Sequence, residues 1–258
     1  MRLDLRVMNA SSERTRRNSD HVLIEICVAS LDYAIAAQRA GADRIELCSE
    51  LDCGGVTPST RLMETAREQL RIPMHVLIRP RRGDFVYSAR EFSAMRKAIQ
   101  NARDFKMDGI VLGILDQDSR VDLARTSELV QLAYPLPVTF HRAFDETHCG
   151  QDSLEAVIQT GATRLLTSGC RPKAPDALAT LARLVKDARD RLIVMPGSGI
   201  TPANVVRVVR ATSVREIHAS LLTPALRKED STDRNRQTER YYRRVLKLVS
   251  MLRSTASR

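Results

Sequence analysis

The sequence predicts a single parallel (β/α)₈ barrel, and three observations carry that prediction. Eight short apolar segments alternate with eight helical patterns along 258 residues, a length that suits one α/β barrel. The segments are apolar throughout, as are strands of a parallel sheet that is buried on both faces. No G-x-G-x-x-G follows the first segment, which argues against the alternative of a doubly wound open sheet.

The elements follow in order along the chain, with strand starts 21 to 35 residues apart. The candidate strands span residues 23–28, 44–48, 74–79, 109–115, 137–142, 164–168, 192–196 and 216–220. The helical patterns span residues 31–40, 59–70, 89–105, 121–133, 152–160, 175–189, 202–210 and 235–252. Ser30, Ser88, Asp152, Thr57-Pro58 and Thr201-Pro202 are start signals for helices. Gly41 and Gly161, in two related segments, fit the position just after a helix.

Charge is concentrated at the two ends of the chain. We predict two units: a disordered basic leader over residues 1–20, which is polar without periodicity, and the barrel with a C-terminal helix over residues 21–258. The net charge is +10, of which residues 1–20 carry +2 and residues 226–258 carry +6. The remaining 205 residues therefore carry only +2. Solvated basic tails and scarce aromatics argue against a nucleic-acid partner.

The cysteines and the hydropathy pattern indicate a cytoplasmic protein. The chain has five cysteines, an odd number, and we expect free thiols in a reducing compartment. No stretch approaches the roughly 18 apolar residues of a membrane span. The first residues lack the apolar region of a secretory signal. We therefore expect no membrane partner.

A short repeat, Glu-x-Cys, ends the first two candidate strands. Glu25 and Cys27 share one face of their strand, and Glu46 and Cys48 share one face of the next. If these strands are parallel neighbours, two carboxylates and two thiols converge. Thiolates are soft ligands that select Cu(I), zinc or iron–sulfur clusters, and two thiols suit low-coordinate Cu(I) better than tetrahedral zinc. Cys27 and Cys48 are thus candidate metal ligands.

Other polar residues also lie where the barrel places its functional groups, at the C-terminal ends of the strands. The candidate catalytic residues are Glu25, Glu46, His141 and Asp145. The candidate ligand-binding residues are Arg79, Arg142, Ser168, Gly197, Gly199 and His218. Gly197 and Gly199 belong to a turn before a predicted helix, where backbone N–H groups can bind an anion.

The residues leave two functions open. In the first, the thiols bind Cu(I). In the second, the protein is an enzyme of the isomerase, epimerase or lyase type that moves a proton on a small anionic or phosphorylated metabolite. There Glu25 or Glu46 would be the base, His141 an acid or orienting group, and Arg79 the anion clamp.

Read together, several ordered motifs resemble the CutC family of copper homeostasis proteins. They include Glu25-Ile26-Cys27-Val28, Glu46-Leu47-Cys48, Gly54-Gly55-Val56-Thr57-Pro58-Ser59, Ile78-Arg79-Pro80-Arg81, Phe140-His141-Arg142-Ala143-Phe144-Asp145 and Met195-Pro196-Gly197-Ser198-Gly199-Ile200. The resemblance covers about residues 21–225. It implies a (β/α)₈ barrel, a cytoplasmic homodimer or higher homo-oligomer, and Cu(I) handling in which Cys27 and Cys48 are the ligands.

Overall fold

The computed structural model describes residues 21–222 and 234–254, and it confirms the predicted barrel. Eight parallel strands lie in the order β7-β6-β5-β4-β3-β2-β1-β8, and β7 packs against β8 to nearly close the sheet. The strands are β1 Leu23–Val28, β2 Arg44–Leu47, β3 Met74–Leu77, β4 Gly109–Leu112, β5 Val138–Phe140, β6 Arg164–Thr167, β7 Ile193–Pro196 and β8 Glu216–Ala219. Each predicted strand is present, and most are shorter than predicted at the C-terminal end.

Helices surround the sheet in the predicted order. They are α1 Leu31–Arg39, α2 Thr60–Gln69, α3 Ala89–Asp104, α4 Leu123–Ala133, α5 Gln151–Gln159, α6 Leu178–Ala188, α7 Val205–Thr212 and α8 Arg234–Arg253. Short 3₁₀ turns cover Leu51–Cys53, Arg142–Glu146 and Ala174–Asp176. The predicted leader, residues 1–20, lies outside the described residues.

The caps explain where several helices begin. Ser30 and Ser88 cap α1 and α3 as predicted, and Ser88 forms a capping box with Glu91. The signal at Thr201-Pro202 was wrong by several residues: Asn204 Oδ1 accepts from Thr201 N–H, and α7 begins only at Val205. The signal at Thr57-Pro58 was early by two residues, because Ser59 is the cap of α2. Asp152 lies inside α5 rather than before it.

Register within the sheet decides which side chains meet inside the barrel. Glu25 pairs with Arg44 on β2 and with His218 on β8. Cys27 pairs with Glu46 one step further toward the C-terminal ends of the strands. Since residues at the same level on parallel neighbours point to the same side, these five side chains all enter the barrel.

The last helix, α8, closes the outer layer. It packs against α1, where the rings of Tyr241 and Tyr33 lie 4.5 Å apart, and Tyr241 is fully buried. Arg253 near its end pairs with Asp43, in the turn before β2. Among the described residues, no helix has both the length and the apolar character needed to cross a bilayer.

Candidate functional site

A cavity of about 660 Å³ opens at the C-terminal ends of the strands. Eight of the twelve predicted site residues line it: Cys27, Glu46, Arg79, His141, Arg142, Asp145, Gly199 and His218. The other four, Glu25, Cys48, Ser168 and Gly197, lie behind or below the lining. The eight predicted residues that line the cavity thus come from six of the eight strand ends.

The two predicted thiols are in contact at the base of this cavity. Cys27 Sγ lies 3.5 Å from Cys48 Sγ, and both are buried beside Leu77 and Val111. Cys48 Sγ also lies 3.4 Å from the carbonyl oxygen of Val28. Cys27 faces the cavity and Cys48 lies behind it, so a ligand entering from the mouth reaches Cys27 first.

Glu46 is in direct contact with one of the thiols. Its Oε1 accepts from the Cys27 thiol at 3.0 Å, while Oε2 has no hydrogen-bond partner among the described residues. Burial raises the pKa of Glu46, and the neighbouring carboxylate of Glu25 adds to that effect. The hydrogen bond with Cys48, burial and the charge of Glu46 together raise the pKa of Cys27 well above its usual value.

Glu25 lies below the thiols in a buried charge network. Its carboxylate contacts Arg44, and its Oε1 lies 2.7 Å from Nδ1 of His218. Burial alone would raise the pKa of Glu25, but Arg44 and His218 outweigh it and hold that pKa well below the usual range. For His218, burial lowers the pKa, and the carboxylates of Glu46 and Glu25 outweigh it, so the pKa is raised.

The same network extends to the bottom of the barrel. Arg44 also contacts Glu216, and Glu216 in turn pairs with Arg164 at 2.9 Å. Arg44 was not among the predicted site residues, although a signal existed: it stands two residues before Glu46 and so shares its inward face. Two arginines offset two buried glutamates here, which holds Glu25 and its histidine partner in place.

Cys27, Glu46 and His218 form a potential metal-binding group. One ligand atom from each lies within 4.8 Å of those of the other two, and all three residues are buried. Because Glu25 accepts from Nδ1 of His218, the other ring nitrogen, Nε2, is the one left for a ligand.

A second group lines the opposite part of the mouth. The guanidinium of Arg79 donates to the carbonyl oxygens of Cys53, Gly55 and Gly83, and its centre lies 4.8 Å from the ring of Phe85. The ring of His141 lies 4.8 Å from that same ring. Phe85 was not among the predicted site residues. The one signal for it in the sequence is its position in the loop after β3.

Asp145 holds together the loops that follow β5 and β6. Its carboxylate accepts from Thr167 Oγ1, from the N–H and hydroxyl of Ser168, and from the N–H of Cys170. It also pairs with Arg142 at 2.8 Å. The structure thus brings Arg142, Asp145 and Ser168 together, and the hydrogen-bonding capacity of the Asp145 carboxylate is already used.

The expectation of free thiols throughout was wrong for one pair. Cys149 and Cys170 form a disulfide between the loops that follow β5 and β6. Cys149 is buried, and Cys170 lines the cavity. The loops place the two Cα atoms 6.1 Å apart, a separation that sequence spacing does not reveal. Cys27, Cys48 and Cys53 remain free.

Comparisons with known proteins agree on one family. The model of the CutC family matches residues 22–223. A CutC family protein of Chromobacterium violaceum is 49% identical over 198 residues, which cover 77% of this chain and 80% of the relative. A human protein named as a copper homeostasis protein cutC homolog is 42% identical over 219 residues, which cover 82% of this chain and 80% of that protein.

Solved structures agree on the fold. A CutC structure from Streptococcus agalactiae superposes with a TM-score of 0.73 at 31% identity, covering 78% of this chain and all of the other. Phosphoribosylanthranilate isomerase from Thermotoga maritima superposes with a TM-score of 0.58 at 13% identity, covering 90% of this chain and 99% of the other. The second likeness concerns the barrel alone.

Proposed function

The chain belongs to the CutC family, and from that premise we propose that it is a copper homeostasis protein that binds Cu(I) through Cys27 and Cys48. The observation that carries the proposal is the contact between the two buried thiols at the base of the cavity, 3.5 Å from sulfur to sulfur. Thiolates are the side chains that favour Cu(I) over harder metals. A cytoplasmic location and a homo-oligomeric state, both implied by the family, are parts of the same proposal.

The sulfur separation favours a bent site over a linear one. With metal–sulfur bonds of about 2.3 Å, two sulfurs 3.5 Å apart subtend an angle of about 100° at the metal. Such an angle leaves room for a further ligand. His218 supports this role, because its ligand atom lies within 4.8 Å of those of Cys27 and Glu46.

Glu25 and Glu46 take different parts in this proposal. Glu25 holds His218 by its Nδ1, the outer contact that orients a histidine ligand toward a metal. Glu46 is a hard oxygen donor and a poor partner for Cu(I). It accepts the hydrogen bond of the Cys27 thiol, so it is the nearest group to which that proton can pass when the thiol becomes a ligand.

Cu(I) competition under anaerobic conditions tests the proposal. Wild-type protein and a Cys53→Ser control are expected to bind Cu(I) near-stoichiometrically against a chromophoric chelator. Cys53 is the matched control because it is the other free cysteine and lies at the edge of the same cavity. The double variant Cys27→Ser, Cys48→Ser is expected to lose this binding while retaining the circular dichroism of the parent.

The proposal fails if the folded double variant withdraws Cu(I) from the chelator as well as the parent does. X-ray absorption of the loaded protein supplies a second readout, with two sulfur neighbours expected. His218→Gln is expected to weaken binding and to remove a nitrogen neighbour without changing the number of sulfurs.

A further inference from the structure

We propose that the cavity also binds a small organic phosphate monoester. Its phosphate would lie at the turn Ser198-Gly199-Ile200 beside Arg171, and its organic part would extend toward Arg79 and His141. This proposal goes beyond Cu(I) binding and does not depend on it, since it uses neither of the thiols.

The turn after β7 offers unused backbone donors. Ser198 and Gly199 are consecutive residues with positive φ, 73° and 70°, in the bend that follows β7. Within the described residues, the N–H groups of Ser198, Gly199 and Ile200 donate no hydrogen bond. All three residues line the cavity. Three adjacent donors match the three terminal oxygens of a phosphate better than the two oxygens of a carboxylate.

Positive charge lies beside this turn. Ser198 Oγ donates to the carbonyl oxygen of Pro172 at 2.8 Å, which ties the segment 171–173 to the turn. Arg171 is exposed, lines the cavity and forms no ion pair among the described residues. Lys173 packs so closely on Gly199 that a Cβ there would lie 2.9 Å from the Cβ of Lys173. A dianionic phosphate is the ligand that this charge favours.

Arg79 adds a positive charge to the cavity, and no carboxylate of the described residues forms an ion pair with it, although Glu146 lines the same cavity. Arg79 is only 6% exposed, yet its donors meet three backbone carbonyls and no carboxylate within the described part of the chain. Its Nε has no partner there. A buried cation that no carboxylate contacts is costly, so an anionic or strongly polar ligand would be stabilised next to it.

His141 has a buried donor in the wall of the same cavity. Its Nδ1 accepts from the N–H of Ala143 at 3.2 Å, which assigns the ring hydrogen to Nε2. That Nε2 has no partner among the described residues, and the residue is 5% exposed and lines the cavity. Burial lowers the pKa of His141 to about 3, so the ring is a neutral donor near pH 7. A hydroxyl or carbonyl oxygen of the ligand would satisfy it.

The cavity volume fits this class of ligand. Sites for small molecules occupy about 300–1,000 Å³, and this one has about 660 Å³. The turn follows β7 and Arg79 follows β3, on opposite sides of the barrel, so a phosphate at the turn leaves the middle of the cavity for a sugar-sized body. Barrels of this class frequently bind phosphate at the loops after strands 7 and 8.

Calorimetric titration tests the proposal with named probes: ribose 5-phosphate, ribose, gluconate and inorganic phosphate, each in the presence of a Cu(I) chelator. Ribose 5-phosphate is expected to bind more tightly than the other three. Arg171→Glu is expected to weaken that binding by about tenfold or more, the effect of losing one charge-assisted hydrogen bond. Arg61→Glu, on the exposed side of α2, is the matched control and is expected to bind like the parent.

His141→Leu separates the two ends of the ligand, because leucine has no donor in place of the Nε2–H group. This variant is expected to weaken the binding of ribose 5-phosphate and to leave the binding of inorganic phosphate unchanged. Three results would each overturn the proposal: no binding of ribose 5-phosphate, equal binding of gluconate, or binding that Arg171→Glu and Arg61→Glu leave equally intact. Since the chelator keeps copper out of the assay, none of these results bears on the Cu(I) site.

Discussion

Acidification should destabilise the protein through His141, and the size of the effect follows from its burial. The ring lies between Phe85 and Gly113 with its Nδ1 already bonded to a backbone N–H. Burial, with a contribution from Arg79, lowers its pKa to about 3. In the unfolded chain a histidine titrates near 6.5. The native state therefore stays neutral where the unfolded state takes up a proton.

The difference between the native and the unfolded pKa of His141 fixes the direction and the size of the effect of pH on stability. Because the pKa is lower in the native state, stability is fully present above about pH 6.5 and falls as the pH drops from there toward 3. pH 5 lies about 1.5 units below the unfolded-state pKa of about 6.5, and this gap corresponds to about 2 kcal/mol of lost unfolding free energy.

Urea unfolding of wild type and His141→Gln at pH 7.5 and pH 5.0 measures this contribution. The variant loses stability at both pH values, so the informative quantity is the difference between them. That difference should be about 2 kcal/mol smaller in His141→Gln than in wild type. His148→Gln, a substitution of an exposed histidine in the loop after β5, is the control. Equal pH differences in wild type and His141→Gln would refute the reasoning.

Three further predictions concern the site and its frame. Glu25→Gln should weaken Cu(I) binding about 10- to 100-fold in the chelator competition, because the histidine ligand loses its orienting carboxylate; unchanged affinity in a folded variant would contradict this. Gly113→Ala should lower the unfolding free energy by about 1–3 kcal/mol, since its Cβ would lie 2.5 Å from a ring nitrogen, whereas Gly150→Ala meets nothing within 4 Å and should not. Replacing Cys149 and Cys170 with serine should lower the unfolding free energy under oxidising conditions by about 3 kcal/mol, from a bridge across 21 residues, and an unchanged denaturation midpoint would argue against it.

The fold was predictable because its signals are local and repeat. Alternating apolar strands and amphipathic helices define a parallel sheet without knowledge of any distant contact. Helix ends were predicted where one side chain decides them, as at Ser30 and Ser88. At Thr201 the predicted start was too early: Asn204 Oδ1 accepts from the N–H of Thr201, and the regular helix begins only at Val205.

The candidate site was predictable only in outline. Because alternate residues of a strand share a face, the sequence predicted that Cys27 and Cys48 converge, and the structure places them in contact. It did not reveal that Glu25 is held by Arg44 below the cavity while Glu46 stays beside the thiols. The depth at which a side chain lies in the barrel depends on the register between neighbouring strands, and the sequence of a single strand does not encode that register.

Periodicity and motifs within short segments were enough to predict the barrel, the order of its elements and the family to which the chain belongs. They could not predict which polar groups find hydrogen-bond partners in the folded chain. Three features depend on how loops that are far apart in the chain come together. They are the hydrogen bonds that the Asp145 carboxylate accepts, the lack of a partner for Nε2 of His141 among the described residues, and the disulfide between Cys149 and Cys170. Burial then lowers the pKa of His141, because the free energy of a polar group depends on the partners that surround it.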